Sequence, residues 1–301
     1  MDSKSNMPNA EGSQRGWPLV LVCLATLSLL GWIYLGIMVA DMVPVMDMTE
    51  AGPGMGVFNV FNEFAGLPAE ARAALAALCL PTSAATFGMP GAEWGALDLG
   101  LVFWMWVMMA LAMMLPTAVP MLKSYHQQAS GTAAAPILST LFVAVGYLSI
   151  WIGYAVIATV IQGGLTQVGM LDAMMVPAHL ALTASVLIAA GIYQFTPAKQ
   201  ACLYRCWYPR WQFLNLRHAE KGEASALKEG IVQGLACLGC CCAMMTLMFA
   251  VGLMNVIWIA GLGALMAIEK AFPSKWFSYV LGILFLVWGG ALAALMMSSA
   301  G

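Results

Sequence analysis

Polar residues are confined to a few short stretches of this chain, and long apolar runs fill the intervals between them. A helix needs roughly 20 mostly apolar residues to cross the hydrocarbon core of a bilayer, because its backbone polar groups must be satisfied within the segment. Seven runs reach or approach that length: Trp17–Ala40, Leu97–Met121, Ile137–Gln162, Pro177–Phe195, Ile231–Val251, Leu253–Ile268 and Trp276–Met297. The sixth is short, follows the fifth through a tight turn at Gly252, and is either a re-entrant hairpin or, the reading favoured, a short tilted span. Pro116 and Pro120 predict a bend and freed carbonyls near the end of the second run. Gly230 and Gly234 predict close helix packing at the foot of the fifth. The pattern predicts an all-α, polytopic transmembrane helix bundle of about seven spans. An N-terminal segment at 1–16 precedes a single transmembrane helical domain at 17–301, with a loop at 41–96 and a basic loop at 196–230. Within the first loop, Pro68–Leu80 has the composition of a short helix lying on the membrane surface.

Composition narrows the class. Apolar residues make up 62% of the 301 and charged residues 9%, and the mean hydropathy is +0.85. A soluble domain carries roughly a quarter charged residues, so a water-soluble fold is excluded. Disorder is excluded by the same numbers, and a net charge of −2 leaves no basic face for nucleic acid. Charge also orients the spans, since Lys and Arg favour cytoplasmic loops. With the N-terminus inside, Lys4, Arg15, Lys123, the six basic residues of 196–230, Lys270 and Lys275 all fall on the cytoplasmic side, leaving Arg72 outside. The C-terminus then lies outside, and 41–96 is an external loop. Met38-Val39-Ala40 lacks the small residue expected before a cleavage site, so the first run reads as a retained helix. No phosphate-loop or nucleophile-elbow pattern appears, which leaves out a nucleotide-driven pump and assigns no catalytic residue.

Sulfur is the chemistry that remains. Four of the eight cysteines crowd into CLGCCC at Cys237, Cys240, Cys241 and Cys242. At about 100° per residue, Cys237, Cys240, Cys241, Met244 and Met248 share one arc of the helix, with Cys242 off it. Thiols and thioethers are soft ligands that suit Cu(I) best and zinc next. The plain alternative is that Cys and Met are pliable apolar fillers. In the second run Met105, Met108 and Met109 lie on one arc with Met113 at its edge, which is either a Met-lined packing face or a thioether relay. Outside, Met42, Met46 and Met48 stand beside Asp41 and Asp47, with Met55 nearby, and are either a copper collection point or surface packing. His179 near the outer end of the fourth run is a candidate ligand, since an intramembrane His faces the bundle interior by default. Cys202 and Cys206 are four apart in the basic loop and share a face if that stretch is helical. His126 and His218 read as solvated loop residues, and Glu269 with Lys270 as an interfacial ion pair.

Three blocks together resemble a known pattern: WVMMALAMMLPTAVPM at 106–121, YQFTPAKQACLYRC at 193–206 and GLACLGCCCAMMTLMFAVGLMNVIW at 234–258, followed by Glu269-Lys270. They look like the family of predicted metal-binding integral membrane proteins of unknown function, polytopic proteins of the bacterial inner membrane. The resemblance implies a multispan bundle with a metal site at Met108, Met109, Met113, Met114, Cys202, Cys206, Cys237, Cys240 and Cys241. Cys242 stands where the family has an aromatic residue, and Trp207 where it has a basic one. Three functions stay open. The first is a membrane protein that binds copper, with zinc as second metal, and handles it for export, import or delivery to a membrane metalloenzyme. The second is a non-catalytic subunit packed against a larger membrane complex. The third is a thiol–disulfide enzyme using Cys237 and Cys240.

Overall fold

The computed structural model describes residues 16–43, 47–61, 95–130, 135–172, 175–209 and 223–300. The helices are α1 (Trp17–Met42), α2 (Ala96–Ala129), α3 (Pro136–Gln167), α4 (Leu180–Gln194), α5 (Pro197–Trp207), α6 (Glu223–Thr246), α7 (Met248–Val251), α8 (Val256–Ala271) and α9 (Lys275–Ala300). Among the described residues the only β pairing is one bridge between Leu171 and Pro177. Among the described residues five helical stretches are long and apolar enough to cross a membrane: Trp17–Met42, Ala96–Ala129, Pro136–Gln167, Glu223–Val251 and Lys275–Ser298. The α4–α5 pair makes a sixth if its 63° bend is counted within one span. α8, which contains most of the expected sixth span, has 16 residues, about 24 Å of helix against a core of about 30 Å.

Two expectations change at the α4–α5 bend. The fourth run forms only a 15-residue helix, and the basic loop expected from 196 begins instead with a helix, α5. The local chemistry explains it. Thr196 has extended backbone and its hydroxyl accepts from the Lys199 amide, capping α5, while Pro197 occupies a first-turn position where an N–H is not needed. Asn255 caps α8 in the same way, accepting from the Trp258 amide at 3.2 Å.

α3 lies against α6, α4 against α9, and α2 runs between α1 and α3. Glycines set the closest approach. A Cβ on Gly146 would collide with the Leu227 carbonyl, and one on Gly230 with the carbonyl of Val143. The α3–α6 backbones therefore touch directly, as the Gly230/Gly234 spacing predicts. On the other side of α2, Gly31 brings α1 onto the backbone of Met108 and Ala112. Pro116 has no N–H to give the Ala112 carbonyl, and the Trp32 indole N–H donates to it instead at 3.1 Å. At one end of the bundle the segment 47–61 folds over the α7–α8 turn. Asn255 Nδ2 and Trp258 Nε1 donate to the Pro53 carbonyl at 2.9 and 3.2 Å. Met46, Cys79, Arg72, His218 and the expected surface helix at Pro68–Leu80 lie outside the described residues.

Candidate metal centre

One turn of α6 presents three thiols. Cys237, Cys240 and Cys241 are spaced i, i+3, i+4, which stacks side chains on one helical face, and all three are buried. Their sulfurs lie within 4.8 Å of one another. Cys240 and Cys241 Sγ are 3.4 Å apart, and Cys206 on α5 reaches Cys240 at 3.7 Å. With metal–sulfur bonds of about 2.3 Å, two sulfurs on one ion are at most about 4.6 Å apart. The spacing and the soft donor set fit a thiophilic ion. The α4–α5 bend is what places Cys206 there: the Tyr193 hydroxyl donates to the Gly239 carbonyl at 2.5 Å, and Cys202 packs on Gly239, leaving no room for a Cβ.

Cys237 sits in a ring of polar contacts drawn from three other helices. Its sulfur accepts from the Lys270 ammonium at 2.9 Å and lies 2.9 Å from the Tyr147 hydroxyl. Lys270 also donates to the Thr117 hydroxyl at 2.8 Å. The hydroxyls of Thr117 and Tyr147 both reach the Met114 carbonyl, at 2.8 and 3.2 Å. Tyr147 has one hydrogen, so when it donates to Met114 the Cys237 thiol must donate to it. With the thiol deprotonated, the tyrosine hydrogen would be free to turn toward sulfur. The ammonium would supply a counter-charge to a thiolate at Cys237. Below this ring a cavity of about 240 Å³ opens between Pro116, Thr117, Pro120, Cys206, Cys237, Ala267 and Lys270.

The second buried charge cluster stands beside the first. Lys199 and Glu269 form an ion pair at 2.7 Å, with side chains 0% and 1% exposed. Glu269 also accepts from the Ser278 hydroxyl at 2.5 Å, and Lys199 donates to Gln194 Oε1. The expected interfacial pairing of Glu269 with Lys270 is thus overturned. Neighbouring helical residues point about 100° apart, so Glu269 turns to α5 and α9 while Lys270 turns to Cys237. Tyr147 and Thr117 escaped the sequence reading and Lys270 was assigned to Glu269, although polar groups inside apolar helices are expected to face partners in the bundle.

The remaining candidates are spread along the bundle. Met105, Met109, Met113 and Met114 on α2 are buried, as are Met244 and Met248, whereas Met108 is half-buried. Trp106 on α2 lies near Phe249 on α7, with ring centroids 5.5 Å apart, and Met114 and Thr117 on α2 meet the ring around Cys237. Met42 and Met48 do not face water; both are buried, with Met55. Asp47 is occupied as a cap, its carboxylate accepting from Thr49 N, Thr49 Oγ1 and Asn59 Nδ2 at 2.7–2.9 Å. His179 is exposed at the start of α4, about 21 Å along the helix from Tyr193. His126, expected in solvent, is buried and contacts the Thr140 hydroxyl at 3.0 Å.

The chain matches the model of the family described as "PpoB2: Copper chaperone" over residues 103–292. No curated protein and no solved structure matches it.

Proposed function

The chain belongs to this PpoB2 copper chaperone family, and on that premise we propose that it is a membrane-embedded carrier of Cu(I), with copper as its cargo. The observation that carries the reading is the buried trio Cys237, Cys240 and Cys241, whose sulfurs lie within 4.8 Å of one another. Thiolates bind Cu(I) ahead of harder divalent ions, with zinc the nearest competitor. Cys206 is a fourth sulfur from a separate helix, and Cys202 stands one turn before it. The lining of Met105, Met109, Met113, Met244 and Met248 offers weaker thioether ligands along the bundle. Met42, Met46 and Met48, with His179, belong to the far end of that path. The carrier holds copper on thiolates and passes it to a membrane metalloenzyme that docks on the apolar flanks of the bundle. Its N-terminus is cytoplasmic and α8 completes seven spans, which puts the thiol cluster in the cytoplasmic half.

The test is elemental analysis of the detergent-purified protein after equilibration with Cu(I) and zinc, wild type beside Cys237→Ser/Cys240→Ser/Cys241→Ser. Stoichiometric copper in the wild type, lost in the triple variant, is the expected result. Absence of copper from both samples, with the helical content intact, overturns the reading.

A further inference from the structure

We infer that the cavity lined by Pro116 and Pro120 is the loading port of the thiol cluster, and that Cu(I) arrives there on a small anionic thiol and exchanges onto Cys237. The inference rests on the copper-carrier reading and adds the class of donor and the place of transfer.

Three observations point the same way. The cluster's thiols divide by access: Cys206 and Cys237 line the cavity, whereas Cys240 and Cys241, both fully buried, do not. Transfer therefore begins at Cys237 and Cys206, and Cys240 and Cys241 are the sulfurs that retain the ion. The cavity, at about 240 Å³, is smaller than the roughly 300–1,000 Å³ of drug-sized sites. It suits a molecule of amino-acid or short-peptide size, and it is larger than a bare ion needs. Its charge is the third point. Lys270 lines it, and an ammonium has three N–H donors, of which Thr117 and Cys237 take two. The third is available to a carboxylate or thiolate of the incoming carrier. Thr117, Tyr147 and Gln233 are its uncharged polar neighbours, and the prolines, alanines and Met121 leave the rest of the wall apolar.

The exchange balances without any redox change. The carrier's copper–sulfur bond breaks as a copper–sulfur bond to Cys237 forms, copper remains Cu(I), and the Cys237 thiol proton leaves on the carrier sulfur as a free thiol. Cys240 or Cys206 then joins as second ligand, each giving its proton to solvent through the cavity.

Ala267 lines the cavity and is exposed, so it can be enlarged without touching a sulfur. The experiment follows copper uptake by the full-length protein in detergent from the Cu(I)–glutathione complex, for wild type, Ala267→Leu and Ala267→Phe, with final copper content measured on each sample. The expected result is full copper content in all three, with uptake by Ala267→Phe slowed by about tenfold or more and Ala267→Leu in between. Excess S-methylglutathione, which keeps the carboxylates of glutathione but has no free thiol to carry copper, is expected to slow the wild type and not further slow Ala267→Phe. Unchanged uptake in the substituted proteins at full copper content overturns the port. If Ala267→Phe loses its copper through misfolding, the rate of Ala267→Leu decides in the same way. A wild type that takes up no copper at all is a failure of the carrier reading itself and is seen before any variant is compared.

Discussion

Cys237 is the thiol of the trio held by both an ammonium and a hydroxyl. A cluster of thiolates around one Cu(I) ion carries net negative charge, and burying such charge without a partner is costly. Lys270 is the nearest cation, so Lys270→Met leaves the loaded site uncompensated. Hydrogen bonds to charged groups contribute about 1.5–3 kcal/mol, which corresponds to a tenfold to hundredfold weaker hold on copper. Competition against a chromophoric Cu(I) chelator measures it, and an affinity equal to wild type rejects the counter-charge role. The trio itself was readable from CLGCCC, since spacing alone puts three thiols on one face. Its polar ring was not, because the ring joins Thr117, Tyr147 and Lys270 across more than 150 positions of sequence. Methionine misled in the opposite sense: Met48 and Met55 looked exposed beside Asp47, but the segment 47–61 folds back and buries them.

The turn between α4 and α5 shows how one sequence block builds one piece of the site. Tyr193 ties to Gly239, Gln194 and Lys199 to each other, Thr196 caps, Pro197 starts the new helix and Cys206 arrives at Cys240. The helix start was legible, as a Thr followed by Pro is a start signal. High charge in 196–230 outweighed it and gave a loop, because hydropathy reports water contact better than backbone shape. The α3–α6 contact was legible from Gly230 and Gly234, with Gly146 as its counterpart across the interface. Gly230→Leu forces a side chain into the Val143 carbonyl and is expected to cost at least about 1–3 kcal/mol. A lowered melting temperature in detergent, with copper retention reduced alongside, is the outcome to look for; an unshifted melt shows that the helices part without penalty.

Across the whole molecule, the Lys199–Glu269 pair fastens α5 to α8, and Ser278 extends the fastening to α9. Removing one partner of a buried pair strands a charge at about 3–5 kcal/mol, whereas replacing both with apolar groups is often close to neutral. Glu269→Leu is thus expected to unfold at markedly lower temperature than wild type, and Lys199→Met/Glu269→Leu to recover most of the loss. Equal melts for the single and double variants contradict a shared ion pair. The helical class of the fold was plain from the apolar runs, because a chain this apolar has few other ways to satisfy its backbone. How the helices meet was not, since apolarity on every side names no neighbour. One such meeting reaches past the family boundary. The family match begins at residue 103, yet the carbonyl that Pro116 leaves open is satisfied by Trp32, which lies well before it. The open carbonyl is thus a debt contracted inside the shared core and settled by an outside helix. A relative that keeps this proline but lacks such an indole must find another donor for that oxygen.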